Sequence, residues 1–509
     1  MQIFFSAGFI LLIVLWGIVA PDSMAGVFDL MLAAFTRNFG WFYLWLVLGL
    51  VIFAFFVAFS RYGDLKLGGE DDEPEFSMGS WFSLLFAAGM GIGLVFYGVA
   101  EPVSHWVDPP PGVAPRTADS AGAAMRYVFF HWGVHPWAVF GVVALSIAFF
   151  HYRRGGVALI STATSSLPWR PVRALSGVFD GLAVVATAFG VAASLGVGAL
   201  QINSGLHKTF GIDIDPAWQI GLIVATTVVF LLSAVSGVDR GVKLLSNFNL
   251  ILAALLALFV FVVGPTVAII DTFTTTLGSY LSDIVRMSLR SAPFSGSGWV
   301  GTWTIFYWAW WISWSPFVGL FIARVSRGRT IREFILGTVL APSLAAFLWF
   351  SIFGGSALFM QIWQQVPLAD AVRADVATAL FTLFDALPFG FFMSVVATFL
   401  VLVFVVTSGD SAVLVLGMMS TGGNPAPPTR IKIVWGVLIA GIAISLLLAG
   451  GLKAVQTATI VFALPFACVI VLMTVALWRA MREDWNIENK REREIRRRVR
   501  EMMSKSLDK

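Results

Sequence analysis

The stretch Trp308-Ala-Trp310-Trp311-Ile-Ser-Trp314-Ser-Pro-Phe-Val-Gly319 places four tryptophans within seven residues, near the middle of an apolar run from about residue 299 to residue 322. Tryptophans of membrane proteins normally lie at the two ends of a span. Trp310 and Trp314 are four residues apart and share one helix face, while Trp311 lies roughly 100° around the same helix. This pattern predicts a membrane-spanning helix with its aromatic residues at mid-depth.

The indole rings also indicate a class of ligand. Their faces carry negative electrostatic potential and attract a cation that hydrogen bonds cannot hold, above all a quaternary ammonium. The alternative is that the rings face lipid or pack inside the helix bundle. Pro316 and Gly319 favour a cavity, because they predict a break in the helix, and irregular backbone within a membrane must line a cavity. Trp299 and Trp303 are instead predicted to belong to the interfacial belt.

Composition decides the class of protein. Of 509 residues, 58% are hydrophobic and 12% are charged, and the mean hydropathy is +0.86. Since each span needs ~20 apolar residues, the chain is predicted to be a polytopic membrane protein without a soluble domain. The net charge of +4 is explained by short basic loops and one tail, so nucleic acid is not an expected partner. The single cysteine, Cys468, excludes an internal disulfide.

Twelve apolar segments are predicted to cross the membrane as helices, so the fold class is all-α. Arg153 and Arg154 in the fourth connection and Arg324 and Arg327 in the eighth place the even-numbered loops, and both termini, in the cytoplasm. The predicted spans are residues 3–20, 40–60, 78–100, 124–150, 177–203, 217–236, 245–270, 300–322, 334–359, 388–418, 431–450 and 455–479.

The third span contains the run from Ala87 to Gly93, which includes three glycines. Each glycine destabilises a continuous helix by about 1 kcal/mol, so the helix is predicted to be unwound there. The alternative is close helix packing through Gly89 and Gly93, which are four residues apart.

Paired breaks in spans three and eight, five spans apart, predict two inverted five-helix repeats with a substrate and ion site at the bilayer midplane. The first two spans precede the repeats. The resulting domains are residues 1–77 (two spans and a loop), 78–270 (first repeat), 271–299 (an outer amphipathic segment that includes Tyr280 to Met287), 300–479 (second repeat) and 480–509 (a basic cytoplasmic tail).

Three segments closely resemble the betaine/choline/carnitine transporter family. They are Gly89-Met-Gly-Ile-Gly-Leu-Val-Phe-Tyr-Gly-Val-Ala-Glu-Pro102, His131-Trp-Gly-Val-His-Pro-Trp137 and the stretch from Trp303 to Gly328. The resemblance implies a sodium- or proton-coupled carrier with the LeuT-like fold, commonly a homotrimer, in the bacterial cytoplasmic membrane. It also implies an onium substrate and no cofactor beyond the coupling ion.

The resemblance further implies which residues bind the substrate. Phe140 stands where glycine-betaine members carry a tyrosine, and so offers a π face without a hydroxyl. The positions that match the trimethylammonium site and its route are Trp132, Trp137, Phe140, Trp310, Trp311 and Trp314. The substrate carboxylate is expected to meet backbone amides of Ala88, Gly89, Met90 and Gly91, because unwound helix ends present unpaired N–H groups.

Sodium is the coupling ion that the resemblance favours, because proton-coupled choline members carry an aspartate where Gly93 stands. One family sodium site matches Ala87, Met90, Phe404, Thr407 and Ser408. A possible second sodium site matches Thr187, Ser194 and Phe317, although Val191 replaces a threonine of the family and leaves the stoichiometry open. Without the resemblance, a Thr-Ser pair in a span more often bonds to its own helix.

Ionisable residues within the spans are functional candidates by default. Asp410 is compatible with a proton relay, a gate partner or a packing anchor. Glu101 is expected to be structural at the outer end of its span, and Asp180 to favour the N-terminus of the fifth-span helix. His131 and His135 are four residues apart, but no third ligand at a matching spacing is evident, so zinc is not expected.

The tail changes character after about residue 479. The run from Lys490 to Arg500 mixes basic and acidic residues at helical spacing, and its positive charge suits anionic membrane lipid, each basic residue contributing ~1 kcal/mol near the surface. The alternative is an ordinary topology anchor.

The predicted function is therefore symport of a quaternary-ammonium or sulfonium compatible solute with Na⁺, with glycine betaine or dimethylsulfoniopropionate as the leading substrates. A proton-coupled choline symporter and a carnitine/betaine antiporter of the same family are the alternatives. A membrane enzyme that uses His131 or His135 would need a nucleophile and a cofactor motif, and neither is evident. A channel would not need a closed aromatic box.

Overall fold

The computed structural model describes residues 2–89, 91–236 and 239–507, and the regular secondary structure of this part is helical apart from one isolated antiparallel pairing of Lys66 with Thr330. The all-α prediction is confirmed. Among the described residues, ten helices are long and apolar enough to cross a membrane. The twelve-span count adds the shorter first helix and the interrupted third span, and it remains a prediction together with the repeats.

Eleven helices form the first part of the chain. They are α1 (Gln2–Val19), α2 (Pro21–Phe59), α3 (Met78–Gly89), α4 (Ile92–Val107), α5 (Ala118–Trp132), α6 (Val134–Ala148), α7 (Ile160–Ser165), α8 (Arg170–Ala174), α9 (Ser176–Phe210), α10 (Pro216–Ser236) and α11 (Asp239–Val263).

Nine further helices follow. They are α12 (Thr266–Ser288), α13 (Phe306–Arg324), α14 (Ile331–Phe350), α15 (Ser356–Trp363), α16 (Leu368–Ala374), α17 (Ala379–Asp385), α18 (Gly390–Ser420), α19 (Thr429–Leu448) and α20 (Leu452–Leu507). Turns of π-helix extend α6 (Phe149–Arg153), precede α13 (Gly301–Ile305) and join α14 to α15 (Ser351–Gly355), and short 3₁₀ turns lie at Arg61–Asp64 and Val376–Thr378.

The third span is interrupted where the glycine run predicts it. Helix α3 ends at Gly89 and α4 begins at Ile92. Between them Gly91 has φ −142° and ψ −135°, which is not a helical conformation, and no side chain caps the start of α4. The Leu94 amide donates to the Gly91 carbonyl at 3.2 Å, and the amides of Ile92 and Gly93 at the start of α4 are the ones that a ligand could use.

The predicted break in span eight is wrong, because α13 continues through Pro316. Proline removes the hydrogen bond to the carbonyl four residues earlier, but here the Ser315 hydroxyl donates to that carbonyl, of Ile312, at 2.7 Å. Gly319 serves close packing: a Cβ there would lie 3.0 Å from Val143 Cγ1 on α6. Spans three and eight therefore do not both contain a helix break, so the paired breaks no longer support the predicted inverted repeat.

Span four carries the second interruption instead. Gly133 has φ −93° and ψ −130° and separates α5 from α6. A Cβ at this position would lie 2.5 Å from both the Phe129 carbonyl oxygen and Phe347 Cε1, so only glycine fits. The histidine-tryptophan motif around residue 131 thus spans two helical pieces joined by a kink.

The first part of the predicted outer amphipathic segment, residues 271–299, lies on α12 (Thr266–Ser288), which packs on α5. Arg126 Nη1 of α5 lies 2.8 Å from the Asp283 carboxylate, and His135 Nε2 lies 2.8 Å from Ser288 Oγ. Tyr280 and Met287 of the predicted amphipathic stretch are buried, whereas Leu281 is exposed. These contacts tie the connection between the two predicted repeats to span four.

Helix α2 is 39 residues long. Asp29, in the first half of α2, pairs with Lys453 at the start of α20, with 2.8 Å between Asp29 Oδ2 and Lys453 Nζ. Just beyond its other end, the Arg61 guanidinium lies 4.1 Å from the centroid of the Trp485 ring. The two ends of α2 are therefore both fastened to α20.

The tail is the direct continuation of α20, which runs without interruption past residue 480. Its first residues carry acidic groups that pair with Arg153 and Arg154 at the end of span four. Arg153 Nε lies 2.9 Å from Asp484 Oδ2, and Arg153 also pairs with Glu488. Arg154 Nη2 lies 2.7 Å from Asp484 Oδ1. The start of the tail is therefore an acidic clamp on Arg153 and Arg154.

Truncating the chain after Asn489 is expected to leave the core fold and substrate affinity intact and to alter only activation by osmolality or anionic lipid, because the acidic clamp is retained. Truncation after Arg482 also removes the clamp and should destabilise the protein by about 1–3 kcal/mol, the range for charge-assisted hydrogen bonds. Thermal unfolding in detergent and binding of labelled substrate measure the two effects. Loss of binding in a correctly inserted, trimeric Asn489 truncation would contradict this separation.

Candidate functional site

Aromatic residues of α5, α6 and α13 converge in the core of the bundle. The rings of Trp310 and Trp311 stack with centroids 5.1 Å apart and planes 8° apart. Trp132 meets Trp311 edge to face at 5.0 Å, and Phe140 meets Trp311 at 6.0 Å. Trp137 contacts Phe140 at 5.6 Å. Five of the six predicted aromatic residues thus form one buried group, here called the aromatic box.

The kink in span four explains how three of these rings reach one place. Trp132 is the last residue of α5, and Trp137 and Phe140 lie three residues apart on α6 and therefore share a face. Trp311 is fixed by its indole N–H, which donates to the His131 carbonyl oxygen at 3.0 Å. The box therefore consists of a wall from α13 and a wall from the two pieces of span four.

Gly93 of α4 closes a third side of the aromatic box. An ideal Cβ at Gly93 would lie 2.9 Å from Cη2 of Trp132 and 2.9 Å from Cη2 of Trp310. Real Cβ atoms do not approach other heavy atoms this closely, so any side chain at residue 93 displaces at least one indole. The residue that the resemblance connects with the coupling ion therefore also allows α4 to approach Trp132 and Trp310 closely.

Trp314 lies apart from the other predicted aromatic residues. Its ring contact within the described part of the chain is with Phe317, at 5.7 Å between centroids. It faces a narrow cavity, also lined by Phe317, Ser194 and Ser408. Its indole N–H is buried without a hydrogen-bond partner there, as is that of Trp310. Trp314 is thus positioned toward the predicted ion sites rather than in the aromatic box.

Two tyrosines belong to the group and were not predicted. Tyr307 stacks on Trp311 at 5.8 Å and contacts Trp132 at 5.5 Å. Tyr97 contacts Tyr307 at 5.6 Å and Trp310 at 6.0 Å. A sequence signal existed for Tyr307, because it precedes Trp311 by four residues and so shares its helix face.

Glu101 is the centre of a buried hydrogen-bond network. Its Oε2 accepts from the Trp132 indole at 2.7 Å and from the Tyr307 hydroxyl at 2.5 Å. Its Oε1 lies 2.7 Å from His131 Nδ1 and 3.1 Å from His105 Nε2. The carboxylate therefore connects α4 with α5 and α13 immediately behind the aromatic box, rather than standing alone at the end of its span.

The expectation of no third ligand beside His131 is also corrected. One ligand atom each of Glu101, His105 and His131 lies within 4.8 Å of the others, a spacing that can hold a metal ion. His135 instead faces Ser288. Sequence spacing did not show the set because Glu101 and His105 come from α4 while His131 comes from α5.

The predicted first sodium site is partly described. An ideal Cβ at Gly91 would lie 3.9 Å from both Phe404 Cδ1 and Ser408 Oγ, so the interruption of span three faces α18. The Thr407 hydroxyl donates to the Val403 carbonyl of its own helix at 2.9 Å, which leaves its oxygen lone pairs free to accept a cation. Met90 lies outside the described residues, as do the side chains of Ala87, Ala88 and Gly89.

At the predicted second sodium site, Ser194 and Phe317 line the same cavity as Trp314. The Ser194 hydroxyl makes only a long bond of 3.4 Å to the Gly190 carbonyl. The Thr187 hydroxyl is buried without a hydrogen-bond partner among the described atoms. Val191 lines the cavity and adds no oxygen there.

Two further ionisable residues have distinct positions. Asp180 is buried and its Oδ1 accepts from the backbone N–H of Ser161 at 2.8 Å, so it holds α7 against α9 rather than only capping a helix. Asp410 lies half-buried on α18, two residues after Ser408. Neither lies in the aromatic box.

Comparison with known proteins identifies the relatives of this chain. The family model described as "BCCT, betaine/carnitine/choline family transporter" matches residues 2–486. The glycine betaine transporter OpuD of Bacillus subtilis (strain 168) is 48% identical over 474 residues, which cover 92% of each chain. The ectoine/hydroxyectoine transporter of Virgibacillus pantothenticus is 43% identical, covering 94% of this chain and 95% of that one. A probable glycine betaine transporter of Desulfitobacterium hafniense (strain Y51) is 42% identical, covering 95% and 97%.

Proposed function

This chain belongs to the betaine/carnitine/choline transporter family, and we propose that it is a secondary active symporter that imports an onium compatible solute with Na⁺ by alternating access. Family membership confirms the predictions of a multi-pass membrane transporter and of a protein that is not an enzyme. The proposal also includes a homotrimer in the bacterial cytoplasmic membrane, with both termini inside and anionic lipid at the tail.

The observation that carries this proposal is the position of the aromatic box at the start of α4. A solute with both an onium group and a carboxylate fits such an arrangement, because rings attract the cation and free helix-terminal amides attract the anion. Glycine betaine and dimethylsulfoniopropionate combine these two groups. Choline lacks the carboxylate, so it uses only half of the site.

Ectoine is the second candidate substrate, since one relative is named an ectoine/hydroxyectoine transporter. It too combines a delocalised cation with a carboxylate. Its cation has N–H donors, however, and so differs from a fully methylated onium in what it needs from the site. Among the buried polar groups near the aromatic box that lack a hydrogen-bond partner in the described part of the chain, the Trp310 indole N–H can only donate, while the Tyr97 hydroxyl can also accept. The Trp310 donor suits a carboxylate better than a second N–H donor.

The test of function is uptake of labelled solutes into proteoliposomes with sodium and proton gradients imposed separately. The panel contains glycine betaine, dimethylsulfoniopropionate, ectoine, carnitine and choline. Sodium-driven accumulation of an onium carboxylate supports the proposal. Accumulation of choline driven by protons alone, or exchange of carnitine for betaine without any gradient, would establish one of the alternatives instead.

Removing one predicted sodium ligand should weaken the response to sodium. We expect Thr407→Ala to raise the sodium concentration needed for half-maximal betaine uptake by about tenfold. This corresponds to losing one contact as strong as a hydrogen bond to a charged group. Thr459→Ala is the matched control, because Thr459 is also buried in a span and donates to its own helix, at 2.8 Å from the Val455 carbonyl. Unchanged sodium dependence in Thr407→Ala, or full accumulation in sodium-free buffer, would contradict the assignment.

A further inference from the structure

The buried carboxylate of Glu101 is not explained by helix packing alone. Its side chain is completely buried, and its neighbours His105 and His131 form ion pairs with it only in their protonated forms. Burying an ionised carboxylate is costly unless donors and an opposite charge compensate it. A group retained at such a cost next to the aromatic box calls for a role there.

The hydrogen bonds of Glu101 favour its ionised form. An indole N–H can only donate, so Trp132 requires an acceptor, and Tyr307 donates to the same carboxylate oxygen. The histidine nitrogens face the other oxygen. Two donors therefore point at Oε2, which suits a carboxylate, while the histidine nitrogens at Oε1 donate or accept according to their tautomers.

Glu101 binds directly to two rings of the aromatic box. Trp132 and Tyr307 both contact Trp311, at 5.0 and 5.8 Å. Donation of an N–H or O–H to an anion polarises the donor, and hydrogen-bonded groups strengthen one another in this way at low dielectric. The ring faces turned toward the substrate therefore become more negative, and the carboxylate adds its own attraction for a cation across a dry interior.

We propose that Glu101 is a specificity-determining residue, whose buried negative charge behind Trp132 and Tyr307 makes the aromatic box select a cationic solute over a neutral solute of the same shape. This inference rests on the proposed onium substrate. Glu101, which does not itself touch the substrate, determines the preference for a charged solute, and the rings of the aromatic box recognise the shape of the solute.

The test compares the affinity for glycine betaine with that for its neutral isostere, in which a tert-butyl group replaces trimethylammonium. The measured quantity is the ratio of the two dissociation constants, by competition against labelled betaine. Glu101→Gln keeps the length and one acceptor oxygen but removes the charge, and is expected to lower the preference for the cation on the order of tenfold. Affinity for the isostere should change by less than about threefold.

Three further variants complete the design. Glu101→Asp keeps the charge and should retain the preference of the parent protein even if both affinities fall. Glu101→Met is a second neutral variant of similar length, so the result does not depend on the folding of Glu101→Gln. Asp180→Asn removes another buried carboxylate, one that binds Ser161 near α7, and should leave the ratio unchanged.

The outcomes separate this inference from the proposed function. If the parent protein binds the isostere as well as betaine, the onium proposal fails and this inference fails with it. If the parent prefers the cation and a folded Glu101→Gln or Glu101→Met protein keeps the full preference, the inference is overturned while the onium proposal stands. A ratio that falls equally in Glu101→Asp would show that only geometry matters, which also overturns it.

Discussion

Replacing Trp311 with leucine is expected to weaken glycine betaine binding by about thirtyfold. Trp311 contacts Trp132, Phe140, Tyr307 and Trp310 and is the most central ring of the aromatic box. A cation–π contact in a desolvated site contributes ~2 kcal/mol, and leucine keeps much of the apolar bulk while removing the π face. Isothermal titration or competition with labelled betaine measures the change.

Trp435→Leu is the matched control for Trp311→Leu. Trp435 is also a buried tryptophan that donates from its indole nitrogen, at 2.9 Å to Ser420 Oγ, but it lies on α19 away from the box. Its loss should lower thermal stability without changing affinity. Equal binding of betaine by Trp311→Leu and by the parent protein would refute the aromatic box.

Two other substitutions extend the aromatic test. Trp314→Leu is expected to weaken binding to a similar degree, because the resemblance places Trp314 in the trimethylammonium site, although its ring faces the cavity that Ser194 and Ser408 also line. Phe140→Tyr should be tolerated and should tighten binding if the hydroxyl that the family tyrosine carries contacts the substrate. If Trp314→Leu leaves both affinity and uptake unchanged, Trp314 has only a packing role.

Gly93→Ala is expected to reduce the rate of betaine uptake by about tenfold or more. The added methyl group would lie 2.9 Å from atoms of both Trp132 and Trp310, and overpacking of this kind costs about 1–3 kcal/mol in a dense interior. Because both indoles belong to the aromatic box, the strain falls on the site itself. Initial uptake rates at equal amounts of inserted protein measure the loss.

Gly221→Ala is the control for Gly93→Ala, since a Cβ at Gly221 of α10 meets no atom within 4 Å. A glycine replaced by alanine in an open helical position gains about 1 kcal/mol of helix stability, so this variant should transport normally. Normal transport by Gly93→Ala would show that the indoles move aside without cost. The inferred limit on the space in the box would then be wrong.

The features that the sequence predicted correctly are those with a local cause. The apolar segments predicted the membrane helices, and the glycine run predicted the end of α3 at Gly89. The predicted break at Pro316 is wrong because the Ser315 hydroxyl compensates for the N–H that proline lacks. Whether that hydroxyl reaches the Ile312 carbonyl depends on its rotamer, which the sequence does not specify. The kink at Gly133 went unpredicted because a lone glycine does not reveal the close approach of Phe347, which is distant in sequence.

The candidate site shows the same division. The resemblance supplied the rings of the aromatic box, and helix periodicity placed Trp310 and Trp314 on one face. Helix periodicity could not show that Trp314 faces a cavity outside the aromatic box, because the position of the Trp314 ring depends on the packing of α9 at Gly190. Glu101 contacts His131 and Tyr307, which lie 30 and 206 positions further along the chain. No spacing rule within one helix predicts such a set.

We expect the length of α2 to make the protein sensitive to membrane thickness. Asp29 pairs with Lys453, which the predicted topology places at the outer surface, and Phe59 ends the helix two residues before Arg61, which that topology places in the cytoplasm. At a rise of ~1.5 Å per residue the intervening helix is about 45 Å long, whereas the hydrocarbon core is ~30 Å thick. Since the interval from Asp29 to Phe59 exceeds the hydrocarbon core, its ends reach the headgroup regions, and a change in bilayer thickness is expected to alter the tilt of α2. Lipids with longer or shorter acyl chains are then expected to change the angle between α2 and α20, which contact each other through Asp29 and Arg61.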